Sequence, residues 1–485
     1  MIARAGVFFG RRGPVRPKWY VDSLNGSDGN DGAGPGSALR TIAALAAKIQ
    51  AGDRVGLARG SAWREQLTLA ADGVEVIAYG NGAKPLLDCS DPIAAAGWSL
   101  TAGYSNIYQC VVPVEAAGWM SVWEEDVRLR RAGSMADLEA TAGRYLPSGD
   151  PPAAGEVTLY VHSSDGSSPA VNGKKYEYGR RAYGLFTDRT RCKVTGIETR
   201  RNLGNNGSLE VGRDCALTDC RASEGTKHNV LVHAGCTLTG VEAANSYYGG
   251  QPKALIVWNE DAPEGQDLTF VNCYAHDEFE GNATAYYGHR NVSGSFGKIV
   301  LRGCRADHVQ TALPAIGDCA GVTIDGCDLW VLGCMVNTTI TGSVIRGNFR
   351  CLNMVGGPVV TLRDSLIVAS YSIMDGADVV VFSPYPGATL NIQRSRVEGT
   401  MKDGSGYMPD GIWMDGPNAT LVSRFNNFLN LAHFYMIDAD GYTLDSDYNQ
   451  FNGPILSTSF RLPGWQWKTI PDWKAATGQD SHSTP

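Results

Sequence analysis

The chain has 485 residues, 43% hydrophobic and 19% charged, and a net charge of −8 from 42 basic and 50 acidic side chains. With no Lys/Arg-rich run, the basic stripe of a nucleic-acid binder is excluded. No stretch approaches the ~18 consecutive apolar residues that would span a membrane. Glycine numbers 59 beside 22 prolines, about 12% against a usual ~7%, without a collagen period. That balance predicts a turn-dense all-β chain.

Residues 1–18 form a basic leader in which arginines flank a short apolar patch, Ala5 to Phe9. The patch is too short for the core of a signal peptide, and no small-residue cleavage site follows. Trp19-Tyr20-Val21 reads as a strand, followed by a glycine- and acid-rich loop from Asn25 to Gly32. Asp28, Asn30 and Asp31 miss the spacing of an EF-hand loop and are expected to be turn residues. From Leu39 to Ile49 the residues Leu39, Ile42, Leu45, Ala46 and Ile49 share one face, which predicts a short amphipathic helix. The twelve cysteines include no CxxC pair, so free, buried thiols are expected rather than a zinc ribbon.

From about residue 190 a repeat emerges. It runs through Val194-Thr-Gly-Ile, Leu217-Thr-Asp-Cys, Leu238-Thr-Gly-Val, Phe270-Val-Asn-Cys, Leu301-Arg-Gly-Cys, Ile324-Asp-Gly-Cys, Ile340-Thr-Gly-Ser, Leu362-Arg-Asp-Ser, Ile392-Gln-Arg-Ser and Val422-Ser-Arg-Phe. Each unit is a strand, a polar turn and a second strand, and none can bury its apolar face alone, so neighbours must stack. Period-2 alternation excludes helical repeats, and the units are too short for propeller blades. A parallel β-helix remains, with Cys220, Cys273, Cys304 and Cys327 and then Ser343, Ser365 and Ser395 forming an inward ladder.

The opening segment supports this reading. Tyr20-Val21-Asp22, Gly26-Ser27-Asp28, Asp31-Gly32, Thr41-Ile42, Gly52-Asp53-Arg54-Val55, Arg59-Gly60 and Trp63-Arg64-Glu65 resemble the start of right-handed parallel β-helix proteins of the pectate-lyase-like superfamily. Tyr448-Asn449, Phe451 and Trp473 to Ser483 resemble the exit of the same group, and the likeness is greatest to bacteriophage tailspikes and polysaccharide depolymerases. The resemblance implies an all-β, single-stranded right-handed coil over 19–455, capped by a short N-terminal helix, with a tail over 456–485. It does not fix an activity, because that superfamily holds lyases, hydrolases, epimerases, tailspikes and adhesins.

Loops on a rigid scaffold carry chemistry, and four units exceed the minimal length in two neighbouring pairs. The first pair, within about 245–300, offers Glu260, Asp261, Asp277, Glu278 and Glu280 as candidate acid/base carboxylates of glycoside cleavage. Trp258, His276, Tyr286, Tyr287, His289 and Arg290 are its candidate sugar-binding residues, and Asp307-His308 falls one turn above His276-Asp277. His228 is a candidate outward residue lining a groove below. The second pair, within about 369–421, offers Tyr371, Asp375, Asp378, Tyr385, Lys402, Asp403, Tyr407, Asp410, Trp413 and Asp415. Lys402 and Tyr407 suit proton abstraction in a lyase.

A tailspike-like protein that binds and depolymerises a bacterial surface polysaccharide by glycosidic cleavage is the leading expectation. A free polysaccharide lyase or epimerase and a non-catalytic structural or adhesive protein are the alternatives. No metal motif or cofactor is expected, with calcium the one ion left open. The resemblance further implies a homotrimer in a virion tail, joined to other tail proteins through residues 1–18.

Overall fold

A one-residue corner decides the architecture. The third residue of each repeat from Val194 to Ile392 adopts a left-handed conformation: φ is 73° at Gly196, 51° at Asp219, 60° at Gly240, 52° at Asn272 and 61° at Gly303. Gly, Asn and Asp are the residues that accept this region at least cost, so the polar turn seen in the sequence is a bend between two strands. Strands before the bend stack into a sheet of 14, and strands after it into a sheet of 13, among the described residues. In-register parallel pairs such as Val194↔Leu217 and Leu217↔Leu238 hold successive turns together.

The structure, a computed structural model, describes residues 16–485 except 150, 247–252, 261–265, 278–282, 291–295, 310–318, 335, 348–349, 371–378, 384, 401–407, 439 and 454–458. It is a right-handed parallel β-helix. The third face carries two successive sheets, of six and then seven strands. Alternate side chains fill the interior, which passes from Leu, Ile, Val and Cys to an aromatic plug near the C-terminal end. There Phe428, Phe434, Tyr435, Phe451, Phe460 and Trp473 are all buried.

The residue after each bend forms the expected inward ladder, and its chemistry explains its composition. Each Ser hydroxyl donates to the carbonyl two residues back: Ser343 to Thr341 O at 2.7 Å, Ser365 to Arg363 O at 2.7 Å and Ser395 to Gln393 O at 2.9 Å. It also accepts the backbone N–H of the ladder residue on the preceding turn, Cys327 N to Ser343 Oγ at 3.1 Å and Ser343 N to Ser365 Oγ at 3.2 Å. The bend leaves that N–H inside the coil, where an unpaired donor is costly.

Above Ser395 the ladder continues through Asn426 and Asn449, whose Oδ1 atoms accept Ser395 N at 2.9 Å and Asn426 N at 3.0 Å. Phe425, the fourth residue of the last repeat, sits not on the ladder but at the bend with φ 61°. The strands pair Leu390↔Leu421 and Gln393↔Arg424, one residue away from the match of Ile392 with Val422. A phenyl ring could not accept Ser395 N, and Asn426 can.

All twelve cysteines are free and buried. The N-terminal helix is shorter than expected, Ile42–Ala46, capped by Thr41, whose hydroxyl accepts Ala44 N at 3.1 Å. It ends early because Asp53 accepts Gln50 N at 3.0 Å and draws the chain into a turn. Leu39, Ile42 and Leu45 still close the core. Asp28 accepts Arg40 N, Thr41 N and the Thr41 hydroxyl, each at 2.9 Å, as a loop staple.

Between Ser90 and Gly179 the chain leaves the coil and builds antiparallel sheets of its own, pairing Tyr108–Val114 with Gly155–His162. This excursion carried no repeat signal in the sequence. The coil closes behind it: Leu185↔Leu67 and Lys193↔Glu75 pair the turn after it directly with the turn before it. Buried Arg201 fastens the excursion through ion pairs to Asp126, Glu177 and Glu224 and lies 4.8 Å from the Trp123 ring centre.

At the C-terminal end the helix Ile470–Thr477 covers the last turn. Trp473 Nε1 donates to Asp480 at 2.9 Å, and the Ser483 hydroxyl accepts Asn449 N at 2.8 Å, which terminates the ladder.

Candidate functional site

The first insertion pair contributes a cluster at the second corner of the coil. Tyr274–His276 and Arg305–Asp307 are neighbouring parallel strands with His276 opposite Asp307. Ala275 and Ala306 point inward, so Tyr274, His276, Arg305 and Asp307 point out. Asp277 and His308 follow at the corner with φ 53° and 49°. Asp277 lies 2.7 Å from His276 Nδ1 and 3.0 Å from His308 Nδ1. Partial burial favours its protonated form, but the contacts with His276 and then His308 outweigh that and hold its pKa below the usual carboxylate value. The lowered pKa sets Asp277 against the general-acid role and leaves the base or nucleophile role of the expected acid/base pair.

Tyr286 also departs from expectation. It is fully buried, and its hydroxyl donates to the carbonyls of Cys273 and Arg305 at 3.1 Å. It is a core residue with no exposed ring face. His228, expected on the surface, is 5% exposed in a strand buried along nearly its whole length, where Arg128 of the excursion reaches the carbonyls of Glu224 and Asn245 alongside. Asp261, Glu278 and Glu280 lie outside the described residues, as do the side chains of Trp258, Glu260, Tyr287, His289 and Arg290. The backbones of the last five run in the paired strands Lys253–Glu260 and Ala283–Arg290.

The second insertion pair leads to a denser constellation. Strands Asp410–Met414, Tyr435–Ile437 and Phe460–Leu462 stack on the third face with Trp413, Met436 and Arg461 in line. Asp438, just past the middle strand, accepts Trp413 Nε1 at 2.8 Å and Arg461 Nε at 2.6 Å, with Arg461 Nη2 beside it. The Arg461 guanidinium lies 4.4 Å from the Trp465 ring centre, 5.1 Å from that of Trp467 and 5.2 Å from that of Trp413. Such cation–π contacts fix the planes of the rings.

Trp465 is 69% exposed in the turn joining Phe460–Leu462 to Gln466–Lys468, at φ 61°. A bulky residue in that region is strained, and persists where its surroundings over-determine it. The contact with Arg461 supplies that constraint. Trp467 packs on His433 with ring centres 4.4 Å apart, and His433 Nδ1 lies 2.6 Å from Asp410 Oδ1.

Asp415 stands one turn before Asp438, each directly after its strand, since Met414 pairs with Ile437. Partial burial, and then the negative charge of Asp438, raise the proton affinity of Asp415, and Arg461 offsets part of this. Neighbouring strands lie ~4.8 Å apart, close to the ~5–5.5 Å between the carboxyl groups of a retaining glycosidase.

Of the residues named from sequence, Asp410, Trp413 and Asp415 belong to this constellation, and Tyr385 is exposed nearby in the chain. Tyr371, Asp375, Asp378, Lys402, Asp403 and Tyr407 lie outside the described residues. His433, Asp438, Arg461, Trp465 and Trp467 escaped notice because they belong to turns without an insertion. A periodic signal was present, since His433 and Asp438 follow Asp410 and Asp415 at one equal coil spacing.

The sequence matches no protein-family model and no curated protein. Among solved structures, the chain is similar to XylC in its complex with xylose, at 10% identity and a TM-score of 0.51, over 88% of this chain and 85% of that one. It is also similar to a glycoside hydrolase, at 8% identity and a TM-score of 0.41, over 90% and 96% of the two chains. The tailspike protein gp49 of Pseudomonas phage LKA1 matches at 13% identity and a TM-score of 0.35, over 87% and 73%. The first of these likenesses shows a shared fold.

Proposed function

We propose that the protein binds a bacterial surface polysaccharide across Trp465 and Trp467 and cleaves its glycosidic bonds between Asp415 and Asp438. One observation carries the reading: an exposed indole face stands in one cluster with two carboxylates on neighbouring turns, of which only Asp438 is saturated by an arginine. Indole faces stack on sugar rings, and Asp415, with raised proton affinity, is the group to protonate a leaving glycosidic oxygen. Asp438 stabilises the positive charge that develops on the sugar, and water then adds at the anomeric carbon and returns a proton to Asp415.

The test is to incubate the protein with a panel of bacterial capsular and exopolysaccharides and follow product length by size-exclusion chromatography. Shortened chains that lack the ultraviolet absorbance of an unsaturated sugar support hydrolysis. Absorbing products convert the assignment to a lyase, and unshortened chains under tight binding convert it to an adhesin.

The setting proposed with this activity is a bacteriophage tail, where the protein acts as a homotrimer held through residues 1–18. It rests on the resemblance of the opening segment and tail to tailspikes. Light scattering at three times the 51.9 kDa chain mass supports it, and a mass of one chain removes the trimer.

A further inference from the structure

At the corner formed by the turns 274–277 and 305–308, one imidazole is over-supplied with acceptors. His276 Nδ1 lies 2.7 Å from Asp277 Oδ2, and its other nitrogen, Nε2, lies 3.4 Å from Glu242 Oε1. A neutral imidazole has one donor and one lone pair, so one of its nitrogens would then point a lone pair at a carboxylate. Asp307 adds a third carboxylate: its Oδ1 is 3.6 Å from His308 Nδ1, which is itself 3.0 Å from Asp277 Oδ1.

We propose that His276, Asp277, Asp307 and His308 bind a divalent transition-metal ion, of the Zn²⁺ or Co²⁺ type, across two neighbouring turns. Ligand atoms of His276, Asp277 and Asp307 fall within 4.8 Å of one another. Two ligands of a tetrahedral ion at the usual ~2.1 Å stand ~3.4 Å apart, so side-chain rotations that draw these atoms together complete the site. Two imidazoles with two carboxylates favour a borderline ion over Ca²⁺, which takes six or more oxygens.

The surroundings are those of an outer ligand shell. The Tyr274 hydroxyl donates to Asp307 at 2.9 Å and 3.0 Å, and the Tyr274 ring stacks on His276 with centres 3.9 Å apart. Outer contacts of this kind orient metal-binding side chains. Arg305 approaches Asp307 at 3.4 Å and Arg221 pairs with Glu242 at 3.0 Å, so Glu242 is assigned an outer role. The ion would clamp these two neighbouring turns, independently of the glycan site.

The experiment is a titration of the metal-free, tag-free full chain with CoCl₂ at pH 7.5, read by visible d–d absorption, and with ZnCl₂ by calorimetry. One equivalent of tightly bound Co²⁺, displaced by Zn²⁺ and not by CaCl₂, is the expected result. Asp277→Asn and His308→Asn remove a ligand while asparagine tolerates the positive φ at both corners, and each should weaken Co²⁺ binding at least tenfold. Unchanged circular dichroism in the variants separates this loss from misfolding. Absence of stoichiometric binding, binding unaffected by both substitutions, or preference for Ca²⁺ over Co²⁺ would overturn the assignment and leave the corner as hydrogen-bonded His–Asp pairs only.

Discussion

Asp415 and Asp438 occupy equivalent positions on adjacent turns of the coil, and their surroundings drive them apart chemically. Asp438 is clasped by Arg461 and the Trp413 indole N–H, whereas the partly desolvated Asp415 meets the charge of Asp438 across the inter-turn spacing. One sheet face thus holds an arginine-paired carboxylate beside one whose proton affinity is raised. That division of roles is what acid-assisted glycosidic cleavage requires.

Replacing the acid tests this division directly. Asp415→Asn keeps the shape and removes the proton donor, so glycan cleavage should fall by about 10²–10⁴-fold. Retention on an immobilised substrate glycan should stay within severalfold of wild type. Equal loss of cleavage and retention would instead mark Asp415 as a binding residue.

The raised proton affinity of Asp415 sets a pH dependence with a definite sign. A general acid works while protonated, so activity should fall as pH rises through its pKa, and a raised pKa moves that limb towards neutral. Asp438→Asn removes the negative charge facing Asp415 and frees Arg461, and both changes lower the proton affinity of Asp415. The falling limb of the kcat/KM profile should therefore move to more acidic pH. A limb that stays in place would assign the titration to another group, with His433 the first to test.

The coil was legible in the sequence because its signal is repeated: an apolar residue, a polar bend and a small ladder residue recur at every turn. Where a unit broke the pattern, local matching failed. Val422 looks like Ile392, yet the acceptor needed by Ser395 N selects Asn426 and moves the register by one. The excursion from Ser90 to Gly179 was illegible because an antiparallel module has no period to share with the coil. The proposed site was half legible: Asp410, Trp413 and Asp415 stood out in a long unit, while Asp438 and Arg461 lie in short units and join them only once turns are stacked. Tyr286 was misjudged because alternation alone does not say which strand residues face in.

The aromatic platform makes a separate prediction. Trp465→Ala removes the exposed ring over Arg461 without touching the coil's core, and loss of one stacking face is worth about 1–2 kcal/mol. Glycan affinity should drop roughly tenfold at unchanged melting temperature. Affinity equal to wild type would place the sugar elsewhere on the molecule.

Thiol chemistry checks the closure of the coil. Twelve buried free cysteines should show no reaction with a thiol reagent in the native state and twelve equivalents after denaturation. Burial pushes Cys110 and Cys334 up to about 12, so thiolate is scarce at these sites as well as inaccessible. Rapid reaction of several thiols in the native state would contradict the packed interior.

The polar end of the ladder gives the sharpest stability test. Asn426 Oδ1 accepts Ser395 N at 2.9 Å, while its Nδ2 donates to Ile392 O and the Ser423 hydroxyl, both at 3.0 Å. Asn426 is 2% exposed, so water cannot replace what a substitution removes. Asn426→Ala strands a buried donor and leaves a cavity, and should cost about 2–4 kcal/mol. Ser365→Ala removes only a hydroxyl, which accepts Ser343 N and donates to Arg363 O, and should cost about 1–3 kcal/mol. Exposed Asn452, whose amide donates to Asn427 at 3.2 Å, is the control: Asn452→Ala should change stability by less than about 0.5 kcal/mol. Urea melts of the three variants order them, because each removes a hydrogen-bonding group of similar kind from a different depth. Equal destabilisation at Asn426 and Asn452 would show that the ladder does not serve the N–H groups of the bends.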